Sequence, residues 1–203
     1  MSILDTRIET VKRKRERAIT SKTSSLAYKY SLEMNPTIAI EEVIKIEKQY
    51  NIKFPAEYRA FITTIANGGF GPNFGLLSIE RSMQWLYDEI LQDKIDYNYL
   101  KIPFIHTSAY NPDDDPYILE LEKKCDRGEI PQSECDLVYD YSTAGTMTIS
   151  LEGCGYNYFL VVTGATRGQV WFNADVGDGG YIPLNFSFLD WYEQWLDEYF
   201  YLK

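Results

Sequence analysis

Histidine is nearly absent from this chain: His106 is the only one in 203 residues. That excludes a multi-histidine metal site. A Ser-His-Asp arrangement would have to use this one side chain, and no Gly-x-Ser-x-Gly elbow is present to carry the serine. As a lone residue at the end of a strand-like run, His106 reads as structural. Cysteine is also scarce. Cys125, Cys135 and Cys154 make an odd count, which argues against a disulfide framework and for a reducing compartment. Cys125 and Cys135 lack a Cys-x-x-Cys element, so they do not describe a zinc site. Cys154, between Gly153 and Gly155, is expected to be buried beside a turn. Gly153-x-Gly155 has no third glycine to complete a dinucleotide fingerprint, and Gly68-Gly69-Phe70-Gly71 lacks the lysine of a phosphate loop. No stretch approaches the roughly 20 apolar residues that span a bilayer. No apolar signal-peptide core follows the basic residues of the N-terminus. Neither a repeat nor a low-complexity tract is visible. A cytoplasmic location without membrane contact is expected, with no cofactor and no metal.

What is present is an ordinary globular composition, 45% hydrophobic and 25% charged. The net charge of −10 is unevenly spread. Arg7, Lys12, Arg13, Lys14, Arg15, Arg17 and Lys22 make the first 22 residues basic, and the remainder is strongly acidic. An acidic body repels nucleic acid and attracts basic partners. It equally serves solubility.

Residues 1–35 read as a basic extension, solvated and partly helical, with a weak stripe of Ile3, Leu4, Ile8 and Val11 and a hinge over 20–25. Its Lys-Arg-Lys-Arg run also has the composition of a nucleic-acid patch. Asn35-Pro36-Thr37 opens a helix over 38–50 whose apolar face holds Ile40, Val43, Ile44 and Tyr50. Glu47 falls in the middle of that face. A carboxylate there must be paired, because burying an unpaired charge is costly. Its expected donors are backbone N–H groups at the Pro55 helix start or at the Gly68-Gly69 turn. A second helix starts at Pro55, buries Tyr58, Phe61, Ile62 and Ile65, and stops at Asn67-Gly68-Gly69.

Further on, 75–79 and 101–106 read as strands and 82–93 as a helix with Met83, Leu86, Tyr87, Ile90 and Leu91 apolar. Residues 117–136 read as an insertion with a short helix over 117–125. Strand-like runs at 137–141, 147–151, 158–163 and 169–172 are separated by glycines at the spacing of an antiparallel meander. Ser187 and Asp190 form a capping pair for a closing helix with Phe188, Trp191, Tyr192, Trp195, Leu196 and Tyr199 on one face and Asp190, Glu193 and Asp197 opposite. Helices, a meander and a closing helix predict a single α+β domain over 36–203.

The order of these elements resembles the SUKH superfamily of Smi/Knr-type domains. The resemblance rests on Glu47, Pro55, Glu57, Tyr58, Asn67, Gly68, Gly69, Gly168, Trp171, Phe188 and Trp191, and runs from Val43 to Trp195. Phe54 stands where the pattern has leucine, and the insertion and the basic extension fall outside the pattern. Most bacterial members are immunity proteins that neutralise polymorphic toxins. The resemblance therefore implies a non-enzymatic protein that binds a cognate toxin domain, such as a nuclease or deaminase, and occludes its active site. A nucleic-acid-processing toxin would be basic, to neutralise phosphates. A regulatory scaffold or adaptor, as in eukaryotic members, and a small-ligand-binding domain stay open.

Two acidic loops rich in tyrosine are the candidate binding surface: Tyr110, Asp113, Asp114, Asp115 and Tyr117 in the first, Asp175, Asp178 and Tyr181 in the second. Tyrosine offers area with a polar handle at interfaces, and the aspartates would meet a basic partner. Tyr156 adjoins the same region. Calcium also favours such oxygens, but neither loop has EF-hand spacing.

Overall fold

A computed structural model describes residues 2–20, 35–86, 98–131 and 142–201. Among the described residues, six α-helices and four strands follow in the order α1 (Ile3–Thr20), α2 (Ile40–Gln49), α3 (Ala56–Thr64), α4 (Ile79–Trp85), α5 (Pro116–Asp126), β1 (Thr146–Gly153), β2 (Tyr156–Val161), β3 (Gln169–Asn173), β4 (Tyr181–Ser187) and α6 (Phe188–Tyr201). The protein is thus α+β, with helices at both ends of an antiparallel sheet of order β1-β2-β3-β4. The expected strand at 137–141, most of the expected hinge, the part of the 82–93 helix beyond Leu86, Cys135 and the Tyr199 side chain lie outside the described residues.

Both faces of the sheet are covered over β1, β2 and the middle of β3, whereas the edge strand β4 leaves Ile182 and Phe186 exposed. Side chains alternate along a strand, so Leu160 in β2 and Val162 just beyond it face one layer while Phe159 and Val161 face the other. The first layer is the main core. Phe188 and Tyr192 of α6 meet Phe61 of α3 edge-to-face at 5.2 and 4.9 Å, an arrangement that suits the ring quadrupoles. Tyr192 donates from its hydroxyl to the Phe70 carbonyl at 2.7 Å, which satisfies a polar group inside this core. The second layer is small: Phe104 packs on Trp171 at 5.0 Å and on Phe159 at 5.6 Å. It carries the segment that leads to the first acidic loop.

The caps confirm the local chemistry. Ser187 Oγ accepts from the Asp190 N–H at 3.3 Å, the N-cap half of a capping box, and donates to the Asp190 carboxylate at 2.7 Å, a side-chain bond in place of the box's second backbone bond. Asn67 accepts from the Ile79 N–H at 2.9 Å and donates to Glu80 at 2.8 Å. At Gly68 (φ +87°) a Cβ would lie 2.6 Å from the Ser78 nitrogen. Only glycine fits that backbone approach.

Glu47 is buried and fully engaged. Its Oε1 accepts from the Phe54 N–H at 3.0 Å and its Oε2 sits 3.0 Å from Lys53 Nζ. Of the two expected donors, the Pro55 segment is the one observed. Arg59 Nε lies 3.4 Å from the same carboxylate but outside hydrogen-bond geometry, so this contact is Coulombic.

Several expectations are corrected. The basic segment is not a solvated tail. Its described part is a single helix, α1, that packs on α3 and α6 and buries Ile8, Val11, Arg15 and Ala18. Arg7 bridges Glu57 and Asp190 at 2.6 Å each, and Lys14 bridges Glu193 and Asp197 at 2.7 and 2.8 Å. The face of α6 expected to be its outer polar face is therefore the seat of α1. The 75–79 and 101–106 runs make single bridges, Leu76 with Gly69 and Ser150 and Phe104 with Gly164, rather than ladders. Helix α4 begins at Ile79, where Ser78 caps it. Cys125 is disulfide-bonded, against the expectation from the cysteine count. Cys154 is free and exposed, not buried: with Gly155 it forms the two-residue β1–β2 turn, both at positive φ (53° and 88°). That is the signature of a turn matching strand twist.

Candidate binding surface

The two acidic loops, separated by some sixty residues of chain, are joined edge to edge. Tyr110 and Tyr181 exchange backbone hydrogen bonds at 3.0 and 2.7 Å, an isolated antiparallel bridge. The contact is close enough that a Cβ at Gly180 would lie 2.3 Å from the Tyr110 carbonyl oxygen. Asn111 adds a second tie. Its amide donates to the Asp178 carbonyl at 3.0 Å, while its Oδ1 accepts from the Asp113 N–H at 3.2 Å and caps the 3-10 turn Pro112–Asp114.

The predicted residues divide into two groups. Tyr181 is 4% exposed, and its hydroxyl is 2.8 Å from Ser142 Oγ. Burial pushes its pKa up to about 12. Tyr110 is half-buried and donates to Asp115 at 2.9 Å; burial first, then Asp115, raises its pKa. Asp115 also accepts from the Tyr117 N–H at 2.8 Å, the N-cap of α5. The Tyr117 N–H first, then the Tyr110 hydroxyl, hold its carboxyl below the usual range. These three residues build the stem of the surface. As a buried core residue, Tyr181 is not a contact anchor.

The second group faces outward. Asp113, Asp114 and Asp178 are exposed, and Tyr117 is 69% exposed. Asp175 is half-buried. Burial, then the charges of Asp113 and Asp178, raise its carboxyl pKa. The two loops thus present aspartates close enough to oppose one another's ionisation, a repulsion that a cationic partner would relieve. Among the described residues no group of three His, Cys, Asp or Glu side chains is placed to hold a metal ion.

Two residues of this region escaped the sequence reading. Val176, between the aspartates of the second loop, is 59% exposed and lies against Gly155. Phe74 is 62% exposed and lies against Gly153 on the same hairpin tip. Exposed apolar side chains beside an acidic rim are the composition of an interface centre. Tyr156, by contrast, stacks on Phe172 at 5.8 Å and packs against Gly177.

His106 is positioned as scaffold. Its ring stacks on Tyr110 at 4.0 Å and meets Phe104 edge-to-face at 5.1 Å. Burial lowers its pKa, opposed by a hydrogen bond with the Ser142 backbone and by Asp115. Its Nε2 is buried without a hydrogen-bond partner, which favours the neutral ring.

No described helix is long and apolar enough to cross a membrane. No curated protein and no solved structure matches the chain. The family model of the SMI1 / KNR4 family (SUKH-1) matches residues 37–194, and the chain belongs to that family. Helix α1 lies outside the matched region.

Proposed function

We propose that this SUKH-1 domain is a non-enzymatic immunity protein that binds a basic bacterial toxin domain and occludes its substrate site. The observation that carries the reading is the Tyr110–Tyr181 bridge, which merges two acidic loops into one exposed surface. Asp113, Asp114, Asp175 and Asp178 would supply charge complementarity and a fast encounter. Tyr117 and Val176 would supply area that excludes water. A toxin that handles nucleic acid has a cationic active-site cleft, and a surface of this charge would compete with its substrate.

The experiment is Asp113→Lys with Asp178→Lys, tested against the cognate toxin domain. Association slows and its salt dependence flattens, while the melting temperature falls by no more than about 2–4 °C, because both side chains are exposed and only Asp178, at a left-handed φ of 59°, adds backbone strain of about 1 kcal/mol when replaced by lysine. Unchanged association kinetics with intact folding removes these loops from the account. A cytoplasmic location belongs to the same reading, although the disulfide at Cys125 is of a kind rare in that compartment, and the redox state of Cys125 in cells is its test. Trapping thiols by alkylation in intact cells finds Cys125 reduced if the protein works in the cytoplasm; an oxidised Cys125 contradicts that location.

A further inference from the structure

We propose a second binding site, independent of the acidic loops: a cleft for a small phosphate-bearing anion between the α2–α3 connection and the 163–167 turn. The cleft has a volume of about 430 Å³ and is lined by Asn51, Ile52, Lys53, Lys101, Thr163 and Arg167. Three cations from three separate segments line it, and no carboxylate does. This occurs on a chain with 30 acidic and 20 basic side chains, where a patch of arbitrary composition would carry more acids than bases.

Arg167 is held in place. Arg167 Nη2 donates to the carbonyls of Lys53 at 2.9 Å and Phe54 at 2.8 Å. That anchors one edge of the guanidinium and leaves its other N–H groups for a ligand. A planar fork fixed in this way suits phosphate oxygens. Lys53 contacts Glu47 at 3.0 Å, yet its side chain is 69% exposed. The Glu47 carboxylate beneath it is fully buried and shared with the Phe54 N–H and Arg59; it offsets part of the Lys53 charge, so Lys101 and Arg167 carry most of the positive charge of the cleft. Lys101 is exposed and forms no ion pair among the described residues. Asn51 adds a neutral polar residue to the lining. The volume falls in the lower part of the range for small-ligand sites, the size of a nucleotide or a sugar phosphate. The acidic body disfavours a long polyanion, whose further charges would meet it.

The test uses the full chain, with inorganic phosphate, pyrophosphate and ATP as probes and a single-stranded oligonucleotide as contrast, followed by amide NMR shifts and thermal melting at constant ionic strength. Saturable shifts confined to residues 51–53, 101 and 163–167 are expected, with pyrophosphate or ATP binding more tightly than phosphate. Lys101→Glu weakens binding about tenfold, the loss of one charge-assisted contact. Lys45→Glu, on α2 and paired with Glu42 at 3.5 Å, leaves it unchanged. Shifts that do not saturate, equal losses in both variants, or tighter binding of the oligonucleotide than of ATP would each overturn the proposal.

Discussion

Replacing Glu47 with alanine tests whether one buried carboxylate organises the α2–α3 junction. Glu47 is 1% exposed, and its removal strands three partners. The Phe54 N–H, buried and 3.0 Å away, loses the acceptor it has among the described residues, at a cost of about 1–3 kcal/mol. Arg59 loses the counter-charge 3.4 Å from its Nε. Breaking a fully buried pair costs about 3–5 kcal/mol, but the Arg59 side chain is 33% exposed and can turn toward water, so its share is smaller. Lys53 is mostly solvated and adds less than about 1 kcal/mol. The total comes to about 3 kcal/mol, a large fraction of the roughly 5–15 kcal/mol that holds a domain together. For a chain of this size that lowers Tm by about 6–12 °C. Glu47→Gln keeps an acceptor for Phe54 and falls about half as far. Lys53→Ala changes little. Denaturant unfolding with an unchanged m-value, paired with thermal melts, reads all three. A Glu47→Ala variant within about 0.5 kcal/mol of wild type, the range of ordinary surface substitutions, would refute the argument.

Three further outcomes are expected. Reversing Arg7 and Lys14 to glutamate destabilises the protein by about 1 kcal/mol in low salt and less in high salt, as read by denaturant unfolding; a detached tail would show no change at either. Stability falls as pH drops below the ordinary histidine value toward the lowered value of folded His106, because the unfolded chain takes up the proton first. In His106→Phe that slope disappears from urea unfolding between about pH 5 and 6.5. Asp175→Asn stabilises the fold at neutral pH: the folded carboxyl pKa is raised, so its ionised form is the disfavoured one. The difference vanishes once pH falls below the usual carboxylate range, while affinity for a basic partner drops.

How much was legible in the sequence varied with the reach of the interaction. Glu47 could be read because a charge within an apolar stripe needs a partner, and the nearest donors lie a few residues on. The Ser187–Asp190 cap and the β1, β2 and β3 strands are local signals of the same kind. Helix α1 was misread because what orders it is distant: its acidic partners Glu57, Asp190, Glu193 and Asp197 lie 50 to 183 residues away. Its buried row, Ile8, Val11, Arg15 and Ala18, is interrupted by an arginine that hydropathy does not count as core. Strand β4 went unseen because Pro183 interrupts it, as an edge strand allows, and Asn185 has a positive φ of 60°. The two acidic loops were each recognisable by composition. Their fusion through the Tyr110–Tyr181 bridge, and the burial of Tyr181 that follows, depend on tertiary pairing.

The most direct test of the central claim is affinity capture of the tagged full-length protein from its native lysate at low and moderate salt. The captured polypeptide is then assayed for toxicity and enzymatic activity with and without the purified protein. The account predicts one basic toxin-domain polypeptide, released by moderate salt, whose activity is suppressed by wild type and restored when Asp113→Lys/Asp178→Lys replaces it. Capture of several housekeeping proteins, or of a toxin whose activity is unaffected by binding, would contradict it and favour an adaptor role.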